Sequence, residues 1–494
     1  MILKNKTFLV LKERFYPKLL SSLKTNFRLW LKFIISLIKT KNNFAIMSVE
    51  GWHLGNYYED RLKTYKKLFE RDNQINVIEV NLQSKYMLVL LILYLRINKN
   101  LKYKFDKKNF KHSKDFDYKE IYKKSLWDIN LKYFYKNKNL KNLFNSDQPV
   151  DYKIYKSLYN KFNPKVNRSH LKNLTKIFNC ENLEMVIISQ ESYEEWSYSC
   201  LALKYSKKLV VLESKIGLLA YTNINNDLNY LIGNYQKSIS QNITHDEMKN
   251  AEQNLTQRVQ GNYVSKNMFY MKKIDKSEVY KIKNYKEKPI LLFLHAFADA
   301  PNRKILNSKL TSFIDFYDIS LFVIEYCIKN KVPLYIKPHP NREDYVSDKV
   351  FTDNLKKLLE HKKKLNKDFY YEWIDGFFPS INFKNFQMPV AVTGRGSVQV
   401  ECGFLGIPIA TFIKTEQEAF EFSKFLKSKD EFDSFYKNIY ENYEINNSKI
   451  NAIKFEATME KFESIRIFEL DTVSKFTKKY NEPKKYIMEL AHFV

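Results

Sequence analysis

Between residues 289 and 413 the chain alternates short apolar runs with helical or loop-forming stretches, and this alternation limits the folds available to it. Runs of this length and composition are typical of buried strands, and four are predicted here: Ile290–Leu294, Val332–Ile336, Pro389–Thr393 and Ile409–Ile413. Between the first two runs, apolar residues recur at helical spacing from Tyr317 to Ile328. Strands joined by helices form βαβ units, so this segment predicts a parallel sheet.

A similar alternation comes earlier in the chain. Phe44–Val49 is predicted to be a strand that opens into a loop at 51–56, and the strands Leu183–Ser189 and Leu209–Leu212 flank a helical pattern. We therefore predict an α/β protein of GT-B type, with two Rossmann-like domains facing a cleft and extra helices at both termini. The predicted parts are a basic amphipathic segment (1–43), an N-terminal Rossmann-like domain (44–280), a C-terminal Rossmann-like domain (281–425) and C-terminal helices (426–494).

The chain is strongly basic, with 83 Lys and Arg against 55 Asp and Glu, a formal net charge of +28. This charge favours a polyanionic partner such as nucleic acid, an anionic membrane or a phosphorylated substrate. Lysine codons, which are frequent in an AT-rich genome, explain the average charge of the chain equally well. They explain residues 1–41 less well, because this segment carries ten basic residues and one acid, Glu13, among large apolar residues.

Within the basic segment, residues 29–38 form an apolar run that is too short and too interrupted by charge to span a bilayer. The run suits a helix that lies in the headgroup region of an anionic membrane. A second apolar run, Tyr86 to Ile97, is predicted to be a buried core element. No transmembrane helix is expected, and we predict a cytoplasmic protein, peripheral at the inner face of the plasma membrane.

The four cysteines are widely spaced and form no C-x-x-C pair, which argues against a zinc site or a disulfide framework. We therefore expect no metal site, and no cofactor is predicted.

Three segments at predicted strand ends carry the candidate site residues. Lys337-Pro338-His339-Pro340 is a rigid extended loop whose lysine and histidine can donate hydrogen bonds to a phosphate. His295 and Asp299 follow the first strand of this half and are candidates for a general base with its orienting partner. A structural histidine and a helix-capping aspartate are the alternatives for these residues.

The third segment runs from Thr393 to Glu401 and turns from a strand into a short helix. Glycines let the backbone approach a ligand closely, and a helix start offers unpaired N–H groups with the positive end of the helix dipole. The hydroxyl of Ser397 can donate to a phosphate oxygen and can also act as N-cap. Arg395 and Gly396 are further predicted substrate-binding residues. Glu401 is an acceptor candidate for ribose or sugar hydroxyls, with a solvated carboxylate as the alternative. The carboxyl ends of parallel strands bind ligands in α/β sheets, so we expect the three segments to line one site.

The K-P-H-P segment, followed by T-G-R-G-S-x-x-x-E and then G-I-P, resembles bacterial glycosyltransferases of the GT-B fold that act in capsule and lipopolysaccharide synthesis, including Kdo and sialic acid transferases. The loop H-A-F-x-D-x-P is similar to one in the same group. The resemblance covers about 289–413 and does not extend to the N-terminal half. The acidic D/E-D/E-G motif of sialyltransferases has no clear counterpart, since Ile374 precedes Asp375-Gly376.

The resemblance implies an inverting, metal-independent glycosyltransferase that moves a sugar from a nucleotide-activated donor to a surface polysaccharide or lipid-linked acceptor. A CMP-linked sugar is among the candidate donors. The strand-end loops at 51–56 and 189–195 are expected to bind the acceptor in the domain 44–280, and the domain 281–425 is expected to bind the donor. His339 and Ser397 would bind the donor phosphate, and Glu401 would contact the ribose or donor sugar. The base stays unassigned, with Asp299 as first candidate and Glu50 as second.

Three alternatives stay open. A CDP-polyol phosphotransferase of the teichoic-acid type also pairs an H-P loop with a serine and an acid at a helix start. A non-catalytic subunit of a polysaccharide-assembly complex would retain the fold without turnover. A nucleic-acid-binding protein would use the basic charge, but no recognisable RNA- or DNA-binding motif accompanies it, so nucleic acid is not the expected partner.

Overall fold

A computed structural model of the 494-residue chain provides the structure. It describes residues 27–40, 43–49, 66, 70, 76–82, 84–98, 118–132, 134, 137–162, 168–188, 198, 201–202, 205, 207–213, 217–221, 237, 240–262, 288–297, 312–339, 346–442 and 444–466. The chain divides into two compact units. The first comprises Met1–Phe116, Lys165–Ile224 and Arg466–Val494, and the second comprises Asp117–Pro164 and Asn225–Ile465.

The described helices of more than one turn are, in chain order, α1 (27–39), α2 (Lys85–Ile97), α3 (Tyr118–Lys132), α4 (Lys138–Phe144), α5 (Tyr152–Lys161), α6 (Arg168–Phe178), α7 (His245–Val259), α8 (Phe316–Asn330), α9 (Val346–Leu365), α10 (Val398–Leu405), α11 (Lys429–Asn442) and α12 (Ile445–Arg466). The described strands are β1 (Phe44–Ser48), β2 (Asn76–Val80), β3 (Leu183–Ile188), β4 (Lys208–Glu213), β5 (Gly217–Tyr221), β6 (Ile290–Phe293), β7 (Leu334–Lys337), β8 (Tyr371–Trp373), β9 (Val390–Thr393), β10 (Ile409–Thr411) and β11 (Lys424–Phe425).

The second unit contains a six-stranded sheet in the order β11-β10-β9-β6-β7-β8, and each neighbouring pair is parallel. Numbered from its first strand, the order reads 3-2-1-4-5-6, which is that of a doubly wound dinucleotide-binding sheet. The chain passes from one side of β6 to the other between β8 and β9. The topological switch point of the sheet therefore lies between β6 and β9.

Both faces of this sheet are covered by helices. Alternate residues of β6 enter two different apolar clusters, with Ile290 and Leu292 on one side and Leu291 and Phe293 on the other. The first cluster contains residues of α3, α4, α5, α8 and α9, and the second contains residues of α7, α10 and α12. Burial on both faces explains why the strands read as continuous apolar runs in the sequence.

The first unit contains a five-stranded sheet in the order β2-β1-β3-β4-β5. Its first three pairings are parallel, and β5 pairs with β4 in the antiparallel direction. Every residue of β1 is buried. The α/β class with parallel sheets, predicted from the sequence, is confirmed in both units, while the antiparallel edge strand β5 was not predicted.

The predicted domain ranges stay predictions, and the two compact units divide the chain differently at one place. Residues 117–164, which carry α3, α4 and α5, belong to the second unit rather than to the N-terminal part. The reason is aromatic packing on α8. Trp127 and Tyr155 share one cluster with Tyr317, and the rings of Tyr155 and Tyr317 lie 4.9 Å apart between centroids.

One prediction about the apolar runs needs correction. The run from Tyr86 to Ile97 forms α2, which is not a fully buried core element, because five of its large side chains are exposed. Helix α1 also contributes to the core, because Leu29, Phe33 and Leu37 are buried, and its predicted membrane contact stays a prediction. Among the described residues, no helix combines the length and apolarity that a bilayer crossing requires.

Candidate functional site

Three neighbouring strands of the second unit end level with one another. In the sheet register, Phe293 of β6 pairs with Lys337 of β7 on one side and with Thr393 of β9 on the other. His295, His339 and Arg395 each follow two residues beyond these positions. The sheet therefore brings the three segments predicted from the sequence to one edge, beside the switch point between β6 and β9.

The two histidines lie close together at this edge. The ring centroids of His295 and His339 are 5.6 Å apart, with the planes tilted by 39°. His295 also stacks on the ring of Phe316, the first residue of α8, at a centroid distance of 4.3 Å. Its Nδ1 lies 3.3 Å from the carbonyl oxygen of Ala296. When Nδ1 carries the proton and donates this hydrogen bond, Nε2 is the basic nitrogen of the neutral ring.

The turn after β9 is held against the histidine pair. The hydroxyl of Thr393 donates to the carbonyl oxygens of Phe293 and Arg395, at 3.2 and 3.1 Å, which ties the start of the turn to β6. Gly396 has a φ of 137°, a conformation that favours glycine, and a Cβ built there would lie 3.7 Å from Cδ2 of His295. Backbone and imidazole therefore meet without an intervening side chain.

Gly394 is required by close packing. A Cβ added to Gly394 would lie 2.2 Å from Cδ1 of Phe316, well inside van der Waals contact. Phe316 thus contacts both the turn and His295, and it is buried. Phe316 was not among the predicted site residues, because it lies outside all three predicted segments along the chain.

Ser397 takes the N-cap position of α10, but its side chain makes no capping hydrogen bond, so the capping role predicted for its hydroxyl is not seen. At the other end, Gly406 adopts the left-handed conformation predicted for it, with φ 72° and ψ 24°, and its N–H bonds back to the helix carbonyls. Arg395, Gly396 and Ser397 are all partly exposed, so the start of α10 is accessible from outside.

Lys337 and Glu401 form the inner part of the site. Burial lowers the pKa of the Lys337 ε-amino group, while the negative charges of Glu401 and Asp375 act in the opposite direction. Oε2 of Glu401 accepts a hydrogen bond of 2.6 Å from the hydroxyl of Ser380. Ser380 begins a short 3-10 helix, Ser380–Asn385, and nothing in the sequence pattern marked it. Glu401 is thus oriented by a specific donor.

The remaining predicted residues lie outside the described part of the chain. They are Asp299 and Glu50, the two base candidates, together with the loops at 51–56 and 189–195 of the first unit. Among the described residues, no group of three or more His, Cys, Asp or Glu side chains is arranged to hold a metal ion.

The chain matches no known protein family by sequence, and it matches no curated protein. Solved structures to which it is similar include the Methanocaldococcus jannaschii UDP-GlcNAc 2-epimerase in complex with UDP-GlcNAc and UDP. The identity is 16%, the match covers 63% of this chain and 88% of that one, and the TM-score is 0.28. A co-structure of S. aureus MnaA with UDP matches at 14% identity over 87% of this chain and 97% of that one, also with a TM-score of 0.28. Structural similarity at this level does not indicate an activity or a ligand for this chain.

Proposed function

We propose that this protein is a transferase that uses a nucleotide-activated sugar and binds the donor phosphate at the carboxyl ends of β6, β7 and β9. One observation carries the proposal. At the switch point of a doubly wound sheet, the structure brings His295, His339 and the glycine turn at 394–396 side by side. Open α/β sheets bind ligands at this position, and imidazoles beside a helix start suit an anion.

In this proposal the leaving phosphate gains negative charge as the glycosidic bond breaks, and the site stabilises that charge. His339 and the backbone N–H groups of the turn that leads into α10 donate to the phosphate, with Arg395 at the rim. Lys337 supplies a positive charge beneath the site, and an incoming phosphate favours its protonated form because the anion offsets the cost of burial.

Glu401 takes the hydroxyls of the ribose or the donor sugar in this proposal, because Ser380 holds its carboxylate in one orientation. The His295–Asp299 loop supplies the base that removes the proton of the acceptor hydroxyl. Attack from the side opposite the phosphate inverts the anomeric centre. The acceptor, as the sequence resemblance implies, is a surface polysaccharide or a lipid-linked glycan, bound by the N-terminal part of the chain.

Nucleotide binding tests the donor site directly. The full chain is titrated with CMP, CDP and UDP by calorimetry, and we expect at least one to bind. We expect His339→Ala to weaken that nucleotide about tenfold, which corresponds to about 1.4 kcal/mol. The control is His361→Ala, which removes an exposed histidine of α9. Equal effects of the two substitutions, or no binding by the wild type, would refute the donor site.

Transfer separates the proposed reaction from its main alternative. The enzyme is incubated with CMP-Kdo, CMP-sialic acid, UDP-GlcNAc or CDP-glycerol, each labelled in the group to be transferred, together with a membrane glycan extract. We expect label from a sugar nucleotide to enter the glycan with inversion at the anomeric carbon. Incorporation from CDP-glycerol alone would identify the polyol-phosphate reaction instead.

A further inference from the structure

Helices α1 and α2 of the first unit both have large apolar side chains on their outer sides. On α1 these are Phe27, Leu31, Ile34, Ile35 and Ile38, and on α2 they are Tyr86, Val89, Leu90, Leu93 and Ile97. We call these ten exposed side chains the α1–α2 face. Soluble monomers rarely expose contiguous apolar patches larger than a few hundred Å², and larger ones mark interaction surfaces.

Each helix has two apolar sides rather than one. In α1, Leu29, Phe33 and Leu37 point into the protein, whereas Phe27 and Ile38 are 69% and 71% exposed. The exposed positions 27, 31, 34, 35 and 38 recur at intervals of three and four, so they form a single stripe along the helix. The stripe is therefore a continuous second face, additional to the one that packs on the core.

The two helices are joined at their C-terminal ends. The carbonyl oxygen of Thr40, just after α1, accepts a hydrogen bond from the hydroxyl of Tyr94 in α2. It also accepts one of 3.4 Å from the side chain of Asn98, which follows α2. Asn98 donates as well to the Tyr94 hydroxyl, at 3.0 Å. These bonds fix the ends of the helices together within one compact unit.

Basic residues border the apolar stripe. Arg28 and Lys39 of α1 are exposed, and their separation of eleven residues, three helical turns, places them on one line next to the stripe. Arg96 is exposed on α2 between Leu93 and Ile97. The exposed side chains of both helices are thus apolar or positively charged, which is the pattern of helices that lie in the surface of an anionic bilayer.

We propose that the α1–α2 face docks on an anionic phospholipid membrane, with the apolar side chains among the acyl chains and Arg28, Lys39 and Arg96 at the phosphate level. The α1–α2 face differs from the basic segment 1–41, for which the sequence predicted membrane contact. Half of its side chains belong to α2, and the opposite side of α1 is part of the core. A deletion of 1–41 would remove Phe33, which is fully buried, and is therefore unsuitable as a test. The proposal does not depend on the donor site, which lies in the other unit.

Vesicle binding by the full chain tests the proposal. Co-sedimentation is measured with vesicles of phosphatidylcholine containing 30% phosphatidylglycerol (a chosen test composition) and with vesicles of phosphatidylcholine alone. The face variant is Leu31→Gln/Ile38→Gln/Leu93→Gln, and we expect it to bind anionic vesicles about 100-fold more weakly, since each lost side chain removes buried apolar area. The matched control, Leu365→Gln/Ile450→Gln, changes exposed apolar residues of the second unit and should bind like the wild type.

A charge variant tests the basic border. Arg28→Glu/Lys39→Glu should weaken binding to anionic vesicles at least about tenfold and leave binding to neutral vesicles unchanged. Its control is Lys364→Glu/Lys367→Glu, at exposed positions in and just after α9.

Direct contact is measured with a fluorophore on Ile38→Cys, whose emission should shift to the blue on anionic vesicles, while the same label on Leu365→Cys should not respond.

Three results would overturn the proposal. The first is a wild-type chain that binds no vesicles, and the second is a face variant that binds as tightly as the wild type. The third is a wild-type dimer in sedimentation that the face variant converts to a monomer while vesicle binding stays the same, since the occupant would then be a second copy of the chain. Nucleotide affinity should be equal in all these variants, so failure here is distinguishable from failure of the proposed donor site.

Discussion

Helices α2 and α8 are both rich in apolar residues, yet their surroundings are opposite. In α8, eleven of fifteen residues are buried, including the polar Asp318 and Ser320. In α2, Leu91 and Leu95 are fully buried, whereas Leu90 and Leu93 are 42% and 45% exposed. Helices α5 and α9 pack on α8 and share one apolar cluster with it.

Polar side chains at the start of α8 form hydrogen bonds and an ion pair with the helices that pack on it. Asp315, the N-cap of α8, accepts hydrogen bonds from the indole of Trp127 at 2.9 Å and from the hydroxyl of Tyr155 at 2.6 Å. Asp318 forms an ion pair of 2.6 Å with Lys156. The difference from α2 teaches that apolar composition alone does not decide how much of a helix is covered. Helix α8 is covered by other helices, to which these polar contacts join it.

The largest expected contrast compares one leucine from each helix. Leu321→Ala in α8 should cost about 2–5 kcal/mol, because a fully buried side chain leaves a cavity. Leu93→Ala in α2 should change stability by about 0.5 kcal/mol or less, as surface substitutions do. Urea unfolding gives the free energies, and hydrogen exchange by mass spectrometry assigns each loss to its helix. Similar costs at both sites would mean that α2 is covered in solution.

The second contrast is at the end of α8 that meets the candidate site. Gly394→Ala should destabilise the protein by about 1–3 kcal/mol, because the new methyl group overlaps the ring of Phe316. Phe316→Ala makes room for it, so the double variant should lose less than the sum of the two single losses. The denaturation midpoints of the four proteins provide this cycle. Additive losses would show that the overlap is relieved by backbone movement instead.

Much of the second unit was predictable from its sequence. The runs at Ile290–Leu294 and Pro389–Thr393 became β6 and β9, because strands buried on both faces have no polar alternation to obscure them. Glycine and proline mark where α10 ends, and that end lies where predicted, at Gly406. The meeting of His295 with His339 follows from the parallel sheet, since carboxyl ends of parallel strands lie at one edge.

The rest depended on contacts between residues far apart in the sequence. The ring of Phe316 lies against Gly394, and Ser380 donates to Glu401, but neither pair has a local signal. Helix α2 was mistaken for a core element because its apolar residues occupy all sides, so no periodicity distinguishes the buried side from the exposed one. Coverage of a helix is a tertiary property, which the sequence of the helix does not contain.

The third contrast concerns the ion pair that anchors α5 to α8. Burial raises the pKa of Asp318 to about 6, and Lys156 acts in the opposite direction. Between about pH 4 and pH 6 the folded chain therefore keeps a proton that the unfolded chain has lost, so this carboxyl group lowers stability as the pH rises through that window. Above it, the folded state holds a buried carboxylate that depends on Lys156 for compensation.

Lys156→Met removes that compensation. We expect a loss of about 1–2 kcal/mol at pH 8, where Asp318 is ionised, and clearly less at pH 5, where it is largely protonated. Urea unfolding at the two pH values measures the difference. Lys153→Met, at an exposed position of the same helix, is the control and should show no such dependence. An equal loss at both pH values would mean that Lys156 acts through its contact with the Tyr152 ring rather than through the Asp318 carboxylate.

The smallest expected effect lies on the uncovered side of α2, where Val89→Thr/Leu93→Gln should change the free energy of unfolding by about 0.5 kcal/mol or less. Among the described residues no neighbouring side chain should lose much contact, because Val89 and Leu93 are at least 40% exposed. Urea unfolding without lipid measures this value, and a repeat with anionic vesicles should reveal a stabilisation of the wild type that the variant lacks, since a ligand of the folded state raises its stability. A loss above about 1 kcal/mol without lipid would show that another part of the protein covers the face, and the contrast between α2 and α8 would then disappear.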